Sequence, residues 1–452
     1  MFSKASSTIR CLVYRFRPNI LPFANFQEHL AFLNHSDCRL FSNTNALTSP
    51  SKSVDDSLKF VSHFKSPIVQ NLWESRQKAK ETAAADTSRS LSEFRTASQS
   101  ETSVSYPFST NQLLKESYRN PWGQVRFGKI LEDLDALAGN IAFAHVQEPS
   151  LTIVTASVDR IHLSMLPNLE HDMVLSGKVT YVGTSSMEIR MQCNSSTDDK
   201  EKYWMEAFFT FVATDPVTKR PHQIPPLKPE SELEKQHFQS GQKRAMAKKL
   251  ARKRTKSHLP ADNNNNEIET VAQELLKAAG PVVNMPSLSC ADSILMSQTE
   301  LENSELAQPQ TRNLASQIFG GFLMRRACEL AYSTAYVFAG ARPVFYEVDE
   351  VSFGIPVNVG DLLKFRSRVL YTHSQKDSLR DFEGFTQTVS LEVETWVIDP
   401  VHSSAKISNQ FYFTFALPSG TQSVRRVLPA NADEARKIAM RMMLDKVQAE
   451  ED

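Results

Sequence analysis

From 127 to 146 the apolar residues Ile130, Leu131, Leu134, Leu137, Ala138 and Ile141 recur at three- and four-residue intervals. That is the spacing of one helix face, and it predicts a helix over 127–146. The period then changes. Segments 151–164, 173–182, 187–193 and 203–213 read as strands, with Gly183 and Ser185-Ser186 placed for a hairpin turn. The same order returns later: a helix over 321–338, then strands over 342–353, 362–371, 385–397 and 407–416. One long helix followed by a run of antiparallel strands, met twice, specifies an α+β fold.

Smaller landmarks repeat with the elements. Asn120 precedes Gly128 by eight residues, as Asn313 precedes Gly321. Val158-Asp159 is echoed by Val348-Asp349, Asp172 by Asp361, and Asp215-Pro216 by Asp399-Pro400. A period of about 190 residues is too long for a solenoid and fits a duplicated domain. The two copies are expected at 105–217 and 285–417. Outside them, 46–104 reads as an N-terminal helix over 57–81, with Phe60, Phe64, Leu72 and Trp73 as docking residues, followed by a linker. Segment 218–284 reads as a charged linker, and 418–452 as a tail ending in a charged surface helix.

Composition changes this picture at the N-terminus. Overall the 452 residues balance 51 basic against 51 acidic side chains, so no global field favours nucleic acid. Residues 1–27 are different: Lys4, Arg10, Arg15 and Arg17 occur with no acid before Glu28. That bias predicts a mitochondrial transit peptide over 1–45, and a protein of the matrix or associated with the inner membrane. No apolar run is long enough to span a membrane. Five cysteines show neither zinc nor redox spacing, and no metal is expected. The basic run within 243–256 lacks interleaved aromatic residues, so a solvated linker helix is expected there rather than a nucleic-acid partner.

The chemistry concentrates where the repeated helices begin. The chain has only 14 glycines, yet Phe319-Gly320-Gly321 opens the second helix, and Gly128 opens the first. A helix start leaves backbone N–H groups unpaired, and glycine lets a substrate oxygen approach them. Donors so placed contribute on the order of 3 kcal/mol to an acyl-transfer transition state. A carboxylate two turns along can activate water or attack the carbonyl, and an asparagine can orient either partner. Asp135 lies seven residues past Gly128; past Gly321, Cys328 holds that place and Glu329 follows. Taken singly, Gly-Gly can be a packing device, Asn313 a turn residue, and Glu132 and Asp133 solvated or structural groups. The duplication favours the functional reading. No Gly-x-Ser-x-Gly elbow, phosphate loop or metal-spaced histidine set is present, and His145, His162 and His171 read as surface or packing residues.

The pattern Asn-x6-Gly-Gly-x2-Met from Asn313 to Met324, with RFGKILEDLDALAG and VTYVGTSSMEIRM in the first half, resembles the hotdog-fold acyl-coenzyme A thioesterases. The resemblance covers roughly 105–215 and 285–417. It implies two tandem hotdog domains, each a long helix wrapped by an antiparallel sheet, paired within one chain. It also implies acyl-coenzyme A as substrate, no separate cofactor, and further assembly into a homo-oligomer. In that family the acid comes from one unit, and the asparagine and glycine-bearing helix start from the other. Asp135 is then expected to face Asn313 with Phe319, Gly320 and Gly321. The reciprocal set, Asn120 and Gly128 with Glu329, departs from the pattern, because Phe127 replaces a glycine and Glu329 lies about 100° around the helix from the usual acid position. The expected activity is hydrolysis of fatty acyl-coenzyme A in the mitochondrion. The alternative is a catalytically weak acyl-coenzyme A-binding or regulatory protein.

Overall fold

The computed structural model describes residues 67–85, 93–197, 200–257, 264–288, 291–313, 317–349, 351–374, 384–421 and 424–451. The expected transit peptide, and Phe60 and Phe64, lie outside them. The first half comprises α1 (Pro67–Ala85), β1 (Thr102–Tyr106), α2 (Gln112–Tyr118), α3 (Phe127–Val146), β2 (Thr152–Val158), β3 (Ile161–Leu163), β4 (Asp172–Val182), β5 (Ser186–Thr197) and β6 (Lys200–Thr214). Two helices follow, α4 (Glu232–Ser257) and α5 (Asn264–Asn284). The second half comprises β7 (Ser293–Leu295), β8 (Leu301–Leu306), α6 (Gly320–Ala339), β9 (Val344–Val348), β10 (Val351–Ser352), β11 (Leu362–Ser374), β12 (Phe385–Asp399), β13 (Ser404–Pro418), β14 (Arg426–Leu428) and α7 (Ala432–Glu451).

The two copies repeat in detail. α3 and α6 are each 20 residues long and end on a left-handed residue, Gln147 and Gly340. In both, that residue's N–H returns to a carbonyl of the last turn, Phe143 or Tyr336, closing the helix. β4 is bulged between Val179 and Tyr181, and β11 between Val369 and Tyr371. The matched Asp-Pro pairs are not equivalent, although Asp215 and Asp399 each accept two backbone N–H groups through Oδ1: Asp215 follows β6, whereas Asp399 ends β12 and turns the chain into β13.

All strands but β7 and β14 form one 12-stranded sheet, running β1-β4-β5-β6-β3-β9-β13-β12-β11-β8, with β2 beside β6. The halves join reciprocally. β3 of the first pairs β9 of the second, and β10 of the second pairs β2 of the first, matching Val351 with Val158. The long helices lie against each other on this sheet. Arg325 Nη1 donates to Glu132 Oε2 at 2.8 Å across that contact, from positions 193 residues apart. Gly128 and Gly321 have the same separation, so each half presents the same helical position to the other.

Several expectations are corrected by what covers this framework. α1 docks on α3, with Leu72 buried as expected of a docking residue, Val69 buried beside it, and Asn140 of α3 donating to the Leu72 carbonyl at 3.0 Å. α4 is the expected helix and is exposed along much of its length, but one face is anchored to the sheet rather than solvated. Arg244 grips Glu188 of β5 through two hydrogen bonds of 2.7 and 2.9 Å, and Lys248 pairs with Asp159. α5 was hidden behind its asparagine run. α7 is not a surface helix: Ala435, Ile438 and Ala439 are buried, Lys437 reaches Glu392 and Glu394 on β12, and Arg441 pairs with Asp349. β12 is consequently buried on both faces along its middle. Of the two roles expected for Glu132 and Asp133, solvated or structural, the structure gives them the structural one. Asp133 accepts from the Tyr106 and Tyr118 hydroxyls, tying β1 and α2 to α3. β1 and β8 went unread because the outer strands of a sheet carry polar residues that blunt further pairing.

Candidate active site

α3 is enclosed by sheet, α6 and α1, so its three acidic residues are all buried and each needs its own partners. Glu132 turns to Arg325 and Asp133 to the two tyrosines. Asp135 turns toward the start of α6. Its Oδ2 accepts the Gly321 backbone N–H at 2.7 Å, and its Oδ1 accepts the Thr155 hydroxyl of β2 at 2.7 Å. An anion is therefore held at the positive end of a helix dipole.

Burial lifts the Asp135 carboxyl to about 6, against the opposing pull of the Thr155 and Gly321 hydrogen bonds and of the Arg76 charge. A carboxyl poised there is ionised at neutral pH yet basic enough to take a proton.

Close approach requires glycine at 321 and leaves little room for a side chain at 320. A Cβ on Gly321 would lie 2.9 Å from the Glu132 carbonyl oxygen, and one on Gly320 would lie 3.2 Å from Asp135 Oδ2. A cavity of about 450 Å³ opens beside them, lined in part by Asp135, Thr155, Asn313, Phe319 and Gly320. The expected group is thus brought together. Asn313 reaches the cavity wall, but its Oδ1 accepts the Gln317 N–H at 3.1 Å and its N–H donates to the Gln317 carbonyl. Asn120 closes its own loop through Gln124 in the same way. Each asparagine is therefore a turn residue as well as a cavity residue.

The reciprocal set lines a larger cavity of about 1020 Å³ with Asn120, Phe127, Gly128, Cys328 and Glu329. Its chemistry is different. Cys328 occupies the place of Asp135, and burial pushes its thiol up. Phe345 stands four residues before Asp349, where Thr155 stands four before Asp159. Phe127 stacks on Phe345 with ring centroids 3.8 Å apart. Glu329 lines this cavity beside Gly128, but its carboxylate is tied into a basic cluster, with Arg126 at 2.6 Å, Arg325 at 3.2 Å and Arg326 at 3.7 Å. Acid, hydroxyl and first glycine have all been exchanged, and an aromatic wall stands in their place.

Two residues of the first site are missed by the sequence reading. Thr155 sits in an ordinary β-branched strand and carries no signal. Arg76 lines the same cavity from α1, and nothing in the chain before position 105 repeats to flag it. Among the described residues no cluster of His, Cys, Asp or Glu is placed to hold a metal, and no helix is long and apolar enough to cross a membrane. His145 packs against the Pro225 carbonyl at 2.9 Å, and His162 lies beside Glu347.

No family model matches the chain. Among curated proteins it is 41% identical over 396 residues to acyl-coenzyme A thioesterase 4, mitochondrial, of Humulus lupulus, covering 84% of this chain and 73% of that protein. It is 39% identical to acyl-coenzyme A thioesterase 2, chloroplastic, of the same plant, over 84% of this chain and 89% of that protein. It is 35% identical to human acyl-coenzyme A thioesterase 9, mitochondrial, over 69% of this chain and 70% of that protein. A solved acyl-CoA hydrolase from Staphylococcus aureus, in complex with butyryl coenzyme A, coenzyme A and coenzyme A disulfide, is 24% identical with a TM-score of 0.32, covering 37% of this chain and 94% of that one. On this shared sequence the chain belongs to the acyl-coenzyme A thioesterases and is an enzyme that hydrolyses thioester bonds.

Proposed function

We propose that the chain is a pair of tandem hotdog units hydrolysing fatty acyl-coenzyme A at one site, formed by Asp135 and Thr155 from the first unit and Asn313, Phe319, Gly320 and Gly321 from the second. The observation that carries this reading is the buried Asp135 carboxylate at the glycine-lined start of α6. The acyl carbonyl approaches the helix start, where the Gly320 backbone N–H, not engaged as the Gly321 N–H is by Asp135, stabilises the negative charge developing on its oxygen. Asp135 takes a proton from a water molecule as that water's oxygen bonds to the carbonyl carbon. Collapse of the tetrahedral adduct breaks the carbon–sulfur bond, and the proton passes to the departing thiolate, leaving a fatty acid and free coenzyme A.

The Asn120, Gly128 and Glu329 cavity is read as silent in hydrolysis, since no acid faces it in the way Asp135 faces Gly321. Mitochondrial location is supported by the acid-free basic composition of residues 1–27 and by the names of two relatives, while a third is named chloroplastic. Thiol release measured across acyl-coenzyme A of short to long chain tests the activity. Turnover of at least one member that vanishes in Asp135→Ala supports the reading. Binding without turnover across the panel supports a regulatory protein instead.

A further inference from the structure

α1 carries a charge into the hydrolytic cavity. Its register is set by α3: Asn140 Nδ2 donates to the Leu72 carbonyl at 3.0 Å and to Ser75 Oγ at 3.3 Å. Arg76 is thereby laid across Gly139, where a Cβ would come within 2.3 Å of Nη1. Gly139 follows Asp135 by one helical turn, so both face the same side of α3. Arg76 is largely buried and lines the same cavity as Asp135, Asn313 and Gly320. Its Nε is buried without a hydrogen-bond partner among the described residues. Beside it, Val69 and Trp73 of α1 close a gap of about 10 Å³ against Ala136, Arg312, Asn313 and Phe319. α1 therefore touches both halves of the site.

We propose that Arg76 is a positioning residue of the hydrolytic site: α1 delivers a fixed positive charge across Gly139, one turn from Asp135, and that charge holds the catalytic carboxylate ionised. This rests on the reading of Asp135 as the base. Two details favour a role beyond docking. A helix held only by packing would place its arginine in water, since burying a guanidinium without full pairing is costly. The absence of a side chain at Gly139 is what makes room for it. The other charged groups around the carboxylate are Glu132 on its own helix, already paired with Arg325, and Lys219 and Arg312 on the cavity walls. Burial lowers Arg76 to about 10, so it remains a cation throughout the range in which Asp135 titrates.

The test is the pH profile of kcat and KM from pH 5 to 9 in the full chain, using the acyl-coenzyme A turned over fastest in the chain-length panel. Arg76→Met should move the acid limb of kcat upward by about one pH unit, costing several-fold at pH 6.5 and little at pH 8.5, with KM nearly constant. Arg76→Lys should restore the limb, and Gly139→Ala, which displaces the guanidinium without removing it, should reproduce the shift. A limb that stays in place in Arg76→Met overturns the proposal, whether activity is intact or falls equally at every pH. Asp135→Asn run alongside separates the two readings. If it still hydrolyses, the assignment of the base fails. If it is dead while the Arg76 limb is unmoved, only the role of Arg76 fails.

Discussion

Asp135 Oδ2 accepts the backbone N–H of Gly321 at 2.7 Å although the two residues lie 186 positions apart and belong to different copies of the repeat. The site therefore exists only when both halves are folded against each other. The Gly-Gly motif marks its location, and the carboxylate arrives from elsewhere.

The environment of Asp135 predicts a trade of stability for function. In the unfolded chain its carboxyl titrates near the ordinary value of 3.8, and in the folded chain at about 6. The folded state thus holds the extra proton between those values, and stability is lost as pH rises from about 4 to about 6. Asp135→Asn keeps the shape and removes the charge. It should raise unfolding stability by about 1–3 kcal/mol at pH 7–8 and leave it unchanged below about pH 4. Chemical denaturation at both pH values reads this directly.

The same shift predicts the acid limb of catalysis. As pH falls through about 6, Asp135 gains its proton and can no longer take one from water. kcat should decline about tenfold per pH unit below that point. A flat profile down to pH 5 would mean that another group limits the reaction.

Thr155 is predicted to matter although no motif contains it. Its hydroxyl supplies one of the two hydrogen bonds to the carboxylate, and bonds to charged groups contribute about 1.5–3 kcal/mol. Thr155→Val keeps the volume and deletes the donor. Turnover should fall by about 10- to 100-fold with KM less affected. Wild-type kcat in that variant would reduce Thr155 to a packing residue.

The two glycines should separate by readout. A Cβ at Gly321 meets the Glu132 backbone, which cannot step aside without parting α3 from α6. Gly321→Ala should therefore cost both activity and about 1–3 kcal/mol of stability. At Gly320 the nearest atoms are the Asp135 carboxylate and the Phe353 ring, so Gly320→Ala should cost activity with a smaller stability loss. Thermal unfolding beside steady-state kinetics distinguishes them.

In the larger cavity the expectation is reversed. Glu329 is held by Arg126, Arg325 and Arg326 at a partly exposed position, and such pairs contribute at most about 1 kcal/mol. Glu329→Gln should leave turnover within about twofold of wild type. Cys328→Asp should bury an unpaired carboxylate against the Phe127–Phe345 stack, destabilising the chain without adding activity.

Much of this was legible in the sequence. The apolar periodicity from Ile130 to Ile141 marks α3 to its ends, and the matching separations of Asn120–Gly128 and Asn313–Gly321 expose the duplication. The resemblance then pointed Asp135 at Gly321. What stayed hidden shares one physical cause: burial depends on partners distant in the chain. Glu132 and Asp133 look like a polar helix face until Arg325, Tyr106 and Tyr118 enclose them. Arg244, Lys248 and Lys437 look like solvated charges until Glu188, Asp159 and Glu392 meet them on the sheet. Thr155 is one β-branched strand residue among many, and only the fold sets it against a carboxylate.

In the proposed site a single carboxylate, Asp135, carries thioester hydrolysis for both halves. The most direct measurement is kcat/KM for coenzyme A release by Asp135→Asn and Glu329→Gln beside the wild type, at pH 7.5, on protein shown to be folded. The expected result is a loss of about 10²- to 10⁴-fold in the first and none beyond about twofold in the second. Near-normal turnover in folded Asp135→Asn, or the larger loss in Glu329→Gln, would contradict it.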